Sequence, residues 1–293
     1  MFLAMSICTW CIVTVITAVK STTPTLTHVI PSQGHAHHSV TALTSLGDDV
    51  FLARYKSPQV KVYDAGTMTL RRCFTVPGLG GWTIGLAACP KNNCLYASDV
   101  TNNRVHRVDL SGSSAVMKWS VARGPAGLSV NGEHNVIVAC YEVGKLQEYT
   151  THGSLVREIC LQAGVTRPYH AIQLSTGNYA VVHFTSPGVV SVVRADGRVV
   201  SSYGRSEAAD VGQMKDPTSL AVTKNDDILV ADQLNNRILS INSSLGSIRQ
   251  LALSVDGGIQ KPIGLCLDES RGRLYIGEFD GGHRMLVFDG IQL

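Results

Sequence analysis

Five histidines are the residues whose type and spacing could support metal chemistry in this chain. His35, His37 and His38 form a short cluster, whereas His170 and His183 lie far along the sequence. Neutral imidazole is a common zinc ligand. One hypothesis is a zinc site made by His37 or His38 together with His170 and His183. The alternative is an ordinary histidine-rich loop and two polar histidines, with no cofactor.

Other catalytic signals are missing from the sequence. It contains no GxSxG nucleophile motif, no HExxH zinc motif and no glycine-rich phosphate loop of the P-loop type. The pattern therefore favours a non-catalytic protein, while an enzyme with a histidine-bound metal stays open.

The cysteines allow one disulfide to be predicted. Cys89 and Cys94 flank the turn PKNN, so a disulfide closing this hairpin is geometrically possible. Four others stand in apolar stretches and are expected to be buried thiols: Cys73, Cys140, Cys160 and Cys266.

A phrase that recurs six times predicts the architecture that must position these side chains. Its best copies are WTIGLAACPKNNCLYASDVTNNRVHRVD from Trp82, DPTSLAVTKNDDILVADQLNNRILSIN from Asp216 and KPIGLCLDESRGRLYIGEFDGGHRMLVFD from Lys261. A repeat of 42 to 49 residues is typical of a four-stranded propeller blade. The anchors that align the copies, a proline or its equivalent, are 42 to 49 residues apart: Ser39, Thr83, Pro125, Pro168, Pro217 and Pro262.

Each repeat predicts four short strands, called a to d from the propeller axis outward. Hydrophobic residues alternate with a period of two, and no segment has an apolar stripe of helical length. We therefore predict an all-β fold, a six-bladed β-propeller. The second residue after the anchor is small in every copy except His170, and we attribute this to crowding of side chains across the central channel: Thr41, Gly85, Gly127, Ser219 and Gly264.

The two ends of the chain are expected to differ in role. The last copy lacks a strand d, and the spare strand Thr25–Ile30 is expected to complete it, which closes the ring and protects an open edge. Residues 22–293 then form the propeller. Residues 1–21 carry an uncharged apolar run, Ile7 to Ala18, that has the length of a signal peptide but no preceding Lys or Arg. An extra strand and a misassigned start are the alternatives.

The compartment depends on this leader. A cleaved leader predicts a secreted protein, and an uncleaved one predicts a cytoplasmic protein. In either case we expect a monomer whose propeller does not insert into a membrane.

Two repeats resemble NHL repeats. The phrases LYASDVTNNRVHRVD and ILVADQLNNRILSIN carry the acid, asparagine and arginine of that family: Asp99, Asn103 and Arg104 in blade two, and Asp232, Asn236 and Arg237 in blade five. The acid is expected to accept hydrogen bonds from the hairpin backbone while the arginine pairs with it. Blade six matches partly through Glu278 and Arg284. Blades one, three and four depart from the pattern, with Arg54, Cys140 and His183 in the acid position.

The resemblance implies a binding platform on the face that carries the b–c hairpins. No RING or B-box zinc module accompanies the repeats. We count eleven basic and nine acidic residues on that face, a mixed surface that favours a protein partner over RNA, while RNA stays an alternative and DNA is not expected. Arginine is favoured at interaction hot spots, so the candidate contact residues are Arg54, Arg104, Arg167, Arg205 and Arg237.

The propeller also places the histidines. Blades one and four face each other across the axis, so His37 or His38 could meet His170 and His183 over the channel. A metal there would make the protein similar to the peptide-amidating lyase propeller or to a propeller hydrolase. That lyase family has histidine directly after the anchor, where this chain has Ala126, Tyr169, Thr218 and Ile263.

Overall fold

The computed structural model of the protein describes residues 23–32, 39–112, 116–185, 187–204, 211–242, 247–279 and 283–293. These residues form six antiparallel sheets of four strands and one short 3₁₀-helix, Gln233–Asn235. No helix in the described ranges is long and apolar enough to cross a membrane. The strands are β1 (Thr25–Ile30), β2 (Val40–Leu46), β3 (Asp49–Arg54), β4 (Gln59–Asp64), β5 (Leu70–Thr75), β6 (Leu86–Cys89), β7 (Cys94–Asp99), β8 (Arg104–Asp109), β9 (Val116–Ser120), β10 (Pro125–Val130), β11 (Val136–Cys140), β12 (Lys145–Tyr149), β13 (Leu155–Cys160), β14 (Pro168–Gln173), β15 (Tyr179–His183), β16 (Val189–Val193), β17 (Val199–Tyr203), β18 (Pro217–Val222), β19 (Ile228–Asp232), β20 (Arg237–Ile241), β21 (Ile248–Gln250), β22 (Pro262–Asp268), β23 (Arg273–Glu278) and β24 (Met285–Asp289).

The sheets are the blades of a six-bladed propeller, as the repeat predicts. Blades one to five take their strands in chain order, from β2–β5 to β18–β21. Blade six has the order β22–β23–β24–β1, so the predicted closing strand is confirmed with the bounds that were expected. The inner strands β2, β6, β10, β14, β18 and β22 contact one another in sequence, and β22 contacts β2 again. The ring is therefore closed.

The hydrophobic core is divided among the interfaces between neighbouring blades. Phe51 packs with Leu95 of blade two, whereas its neighbour Leu52 packs with Tyr275 of blade six. Successive side chains of a strand point to opposite faces of its sheet. The inner strands of each blade are covered on both faces by the neighbouring blades. This is why strand b is mostly apolar, with all its residues buried in β7, β11, β15 and β19, although it ends in a polar residue in every blade except blade three.

The small residue on strand a has a different cause from the one predicted. A Cβ added to Gly85 would lie 2.5 Å from the Ala126 carbonyl oxygen and 2.6 Å from the Leu128 nitrogen. Both atoms belong to the inner strand of the next blade. At Gly85 the restriction therefore comes from the contact between adjacent inner strands, not from the expected clash across the channel.

Strand register corrects the anchor of blade one. The anchors of blades three to six pair with the last residue of strand b, and in blade one that partner, Arg54, pairs with Val40 rather than Ser39.

Of the four cysteines expected to be buried, only Cys140 is, whereas Cys73 and Cys160 are exposed. Both exposed cysteines lie on outermost strands, where one sheet face meets solvent.

Candidate binding site at the mouth of the channel

The acid of blade five organises its b–c hairpin as expected. Asp232 is fully buried and accepts hydrogen bonds from the Lys215 amide at 2.7 Å and the Asn235 side chain at 2.8 Å. It also pairs with Arg237 Nε at 2.7 Å. In blade six, Glu278 does the same with the Gln260 amide and Arg284. Each acid thus joins the hairpin to the d–a loop of its own blade.

Blade two uses a different partner for its acid. Asp99 accepts from the Gly80 amide and from Asn102, and its partner on the neighbouring strand is His106 Nε2 at 3.2 Å, not Arg104. His106 and Asp99 are both fully buried. Loss of hydration lowers the pKa of His106, and the hydrogen bond to Asp99 raises it in part. The predicted pairing of Arg104 with Asp99 is therefore wrong, because His106 on the same strand fills that place.

The asparagine of the repeat joins one blade to the next. Asn103 and Asn236 both have positive φ, of 52° and 53°. Their Oδ1 atoms accept the amides of Gly124 and Lys261, each at 2.8 Å. Gly124 and Lys261 directly precede the anchors of the following blades. Asparagine suits this position because it tolerates left-handed backbone and carries a short acceptor.

The residues that replace the acid in the other blades are also internal. Arg54 is 6% exposed and donates to the His283 carbonyl of blade six at 2.9 Å. Burial lowers its pKa. Cys140 is fully buried, and loss of hydration raises its pKa to about 12. His183 is fully buried and shares a hydrogen bond of 2.9 Å with Ser191.

The channel itself has room for little more than water. It is lined by the first residues of the six inner strands and holds a cavity of about 30 Å³, enough for one or two water molecules. His170 spans its wall. The Nε2 of His170 contacts the Leu128 carbonyl of blade three at 3.1 Å, and its Nδ1 accepts the Leu220 amide of blade five at 3.1 Å. These two bonds require the neutral ring, and loss of hydration lowers the pKa of His170 to about 4.

The structure gives the proposed zinc site no support in the residues it describes. His170 uses both ring nitrogens for backbone bonds, and His183 lies inside blade four. No group of three or more His, Cys, Asp or Glu with the geometry of a metal site occurs in the described ranges. His37 and His38 lie outside the described residues, as does the predicted leader.

Aromatic side chains surround the mouth of the channel on the b–c face. A backbone hydrogen bond in every blade ties the residue after strand b to the residue before the anchor, as from Tyr141 to Gly124 and from Phe279 to Lys261. In blade one the bond runs from Tyr55 to Ser39, which precedes Val40, the register partner of Arg54. The residue held in this way is aromatic in four blades. With two aromatics next to them, these side chains form what we call the aromatic rim: Tyr55, Trp82, Tyr141, Tyr169, Phe184 and Phe279.

The rim consists of two clusters. Tyr55 lies between Trp82 and Phe279, with ring centroids 6.1 and 6.3 Å away, and joins blades six, one and two. Tyr141, Tyr169 and Phe184 join blades three and four, with centroid distances from 5.1 to 6.3 Å. All the pairs are edge-to-face, the geometry favoured by the ring quadrupoles. Trp82 is 46% exposed, and Tyr169 also lines the channel.

The five candidate arginines are placed unequally. Arg54 and Arg237 hold hairpins from within, Arg104 is half-buried, and Arg205 lies outside the described residues. Arg167 is exposed, and its guanidinium lies 5.9 Å from the Tyr141 ring centroid. Arg167 alone among the four described combines exposure with a place at the rim.

The rim was missed in the sequence, although a signal for it exists. The position after strand b is aromatic in blades one, three, four and six, and it is Val100 and Gln233 in blades two and five. Blades two and five, which resemble NHL repeats, are thus the two without the aromatic, so the family pattern does not indicate the rim.

The predicted disulfide residues face each other. Cys89 and Cys94 are paired in register across β6 and β7, both buried and both as free thiols. The Asn92 side chain donates to Cys89 Sγ at 3.2 Å. The disulfide stays a prediction.

Comparison with known proteins bears on the fold alone. No protein-family model matches the chain, and no curated protein matches it. Among solved structures, a streptogramin B lyase is similar with a TM-score of 0.64 and 12% identity, over 89% of this chain and 97% of that one. Virginiamycin B lyase from Staphylococcus aureus gives 0.62 and 10%, over 89% and 98%. Kuenenia stuttgartiensis hydrazine synthase gives 0.62 and 18%, over 86% and 76%.

Proposed function

We propose that the protein is a non-catalytic binding module that holds a protein partner on its b–c face, centred on the aromatic rim. The observation that carries this proposal is the rim itself, six aromatic side chains gathered from five blades around one opening. Aromatic residues are enriched at interaction hot spots because they offer a large rigid contact area at little cost in side-chain entropy. The likeness of two repeats to NHL repeats, a family that includes binding platforms, supports the same role.

The interior argues against a small-molecule enzyme of the kind the fold neighbours' names suggest. A cavity of about 30 Å³ cannot enclose a drug-sized ligand, which needs several hundred Å³. The lyase names belong to those proteins, and a propeller fold by itself carries no activity. We therefore place the partner on the surface of the mouth rather than inside the channel.

The test is a selection followed by a matched comparison of variants. A phage-displayed library of random dodecapeptides is selected on the full-length protein, and enriched peptides are titrated by fluorescence anisotropy. Trp82→Ala and Tyr141→Ala should each weaken binding about tenfold or more. Leu155→Ala is the control, because Leu155 is 52% exposed but begins the outer strand β13, away from the b–c hairpins.

Two outcomes would count against the proposal. Enriched peptides could bind all three variants like the wild type, which would place the binding surface elsewhere. The library could also yield no peptide that depends on the rim, although each variant keeps the wild-type melting temperature.

A further inference from the structure

We infer that the rim recognises an acidic peptide segment, in which an apolar side chain contacts the aromatics and flanking carboxylates meet two cations of the mouth. This inference rests on the proposed function and names the chemistry of its partner. Lys56 and Arg167 are the two cations, one on blade one and one on blade four, on opposite sides of the ring.

Each cation lies over a ring of the rim. Lys56 Nζ is 5.3 Å from the Tyr55 ring centroid, and Arg167 Cζ is 5.9 Å from that of Tyr141. Both residues are exposed, and neither forms an ion pair with any described residue. A cation over an aromatic face is held in place and still has donors free to bind a carboxylate. The mouth thus carries an apolar surface with one fixed positive charge in each aromatic cluster.

The backbone at both cations is in the left-handed region. Lys56 has a φ of 57° and Arg167 a φ of 52°. At the position of Arg167, blade three has Gly124, with a φ of 71°. Glycine adopts this conformation freely, whereas other residues incur a cost of about 1 kcal/mol or more. Blades five and six have Asp216 and Lys261 at the same position, with φ of 52° and 43°, so the left-handed backbone belongs to this position of the repeat.

Four acids of the b–c face are paired within the protein, whereas the half-buried Asp216 of blade five and the exposed Asp256 of the loop before blade six belong to neither aromatic cluster. Asp99, Asp232 and Glu278 are fully buried and accept backbone amides. Glu142 pairs with Arg123 at 3.0 Å. At the two aromatic clusters, Lys56 and Arg167 are exposed cations that no described acid pairs with, and they complement an acidic partner.

The same groups suit single-stranded RNA less well. RNA recognition of this kind uses open aromatic faces on which bases stack. Here Lys56 covers a face of Tyr55 and Arg167 covers a face of Tyr141, and the rim rings meet edge-to-face. The rim offers ring edges and cations, which fit apolar side chains and carboxylates better than a stack of bases.

The experiment exchanges acids for amides in the selected dodecapeptides. Each Asp or Glu of the best binders is replaced by Asn or Gln, and both versions are titrated against three proteins. These are the wild type, the double variant Lys56→Gln with Arg167→Gln, and a control double variant, Lys91→Gln with Arg249→Gln. The control removes two exposed cations that lie on the a–b hairpin of blade two and on the outer strand β21.

Binders that carry acids next to an apolar residue are expected. Their amide versions should bind the wild type and the control about tenfold more weakly. Against the Lys56 and Arg167 double variant, acid and amide versions should bind alike. Equal affinity of both versions for the wild type overturns the inference, and if Trp82→Ala still weakens binding, the proposed function survives.

Two further results would overturn the inference. If neither Trp82→Ala nor Tyr141→Ala weakens binding of the peptides, the proposed function has failed as well. A labelled oligouridylate that binds the wild type more tightly than the acidic peptides, with affinity falling steeply as salt rises, would identify RNA as the ligand.

Discussion

The b–c hairpins of blades two and five occupy the same place in the fold as those of blades one, three and four, but they are held together differently. In the first pair a fully buried aspartate collects backbone amides, and an asparagine ties the hairpin to the next blade. In the other three, Arg54, Cys140 and His183 stand in place of the acid.

All six hairpins share one backbone hydrogen bond, from the residue after strand b to the residue before the anchor. Because backbone atoms make this bond, it does not depend on side-chain identity. The three hairpins that lack the acid are therefore still held, and each presents an aromatic at the rim. The difference teaches that most of the candidate site lies on blades that depart from the repeat pattern, with Trp82 of blade two and Phe279 of blade six added from blades that keep the acid.

The largest effect is expected from removing a hairpin acid. Asp232→Ala should lower the free energy of unfolding by about 3–5 kcal/mol, because it leaves Arg237 and a buried amide without their partner. Cys140→Ala, at the matching register position of blade three, should cost about 1 kcal/mol. Urea denaturation measures both, and equal losses would show that the two kinds of hairpin are not stabilised differently.

A glycine pair tests whether one repeat position can have two different environments. Gly85→Ala should cost about 3 kcal/mol, because its Cβ would meet backbone atoms of the next blade at 2.5 and 2.6 Å. Gly264→Ala, at the same position of blade six, should be nearly neutral, because the nearest atoms are 3.8 Å away. Denaturation midpoints of the two variants compare them directly. A harmless Gly85→Ala would contradict the close contact of inner strands.

The two backbone hydrogen bonds of His170 in blade four are expected to be sensitive to acid. Its pKa of about 4 in the folded protein lies below the usual 6.5, so the unfolded chain binds more protons between these values. Stability should therefore fall as pH is lowered from about 6.5 to 4, by about 2 kcal/mol once partial hydration is allowed for. His170→Ser introduces the residue type that blade five has at this position, Ser219. Its melting temperature should not show this part of the decline as the pH is lowered. Tyr169, the other titratable residue lining the channel, stays neutral throughout.

The smallest effect concerns the asparagine of the well-matched hairpins. Asn236→Ala should cost about 1–2 kcal/mol, because it loses the bond to the Lys261 amide and places alanine at a φ of 53°. Asn236→Gly keeps the backbone relaxed and should lose only the hydrogen bond, about half as much. Thermal unfolding of the two variants separates the contributions, and identical losses would mean that the conformation costs nothing.

The sequence by itself determined the architecture of this protein. The spacing of the anchors and the period-two alternation predicted six four-stranded blades, and the strand Thr25–Ile30 was found where it was expected. These features could be predicted because a repeat records local structure many times, so that errors in single copies cancel. The hairpin roles of Asp232 and Arg237 followed for the same reason.

Only the tertiary structure decided which side chains meet. Asp99 pairs with His106 rather than Arg104, Gly85 and Gly127 are constrained by the next blade, and the rim gathers residues from five blades. Each of these contacts depends on strand register or on how one blade packs against another. Such contacts join residues far apart in the chain, and no local pattern specifies them.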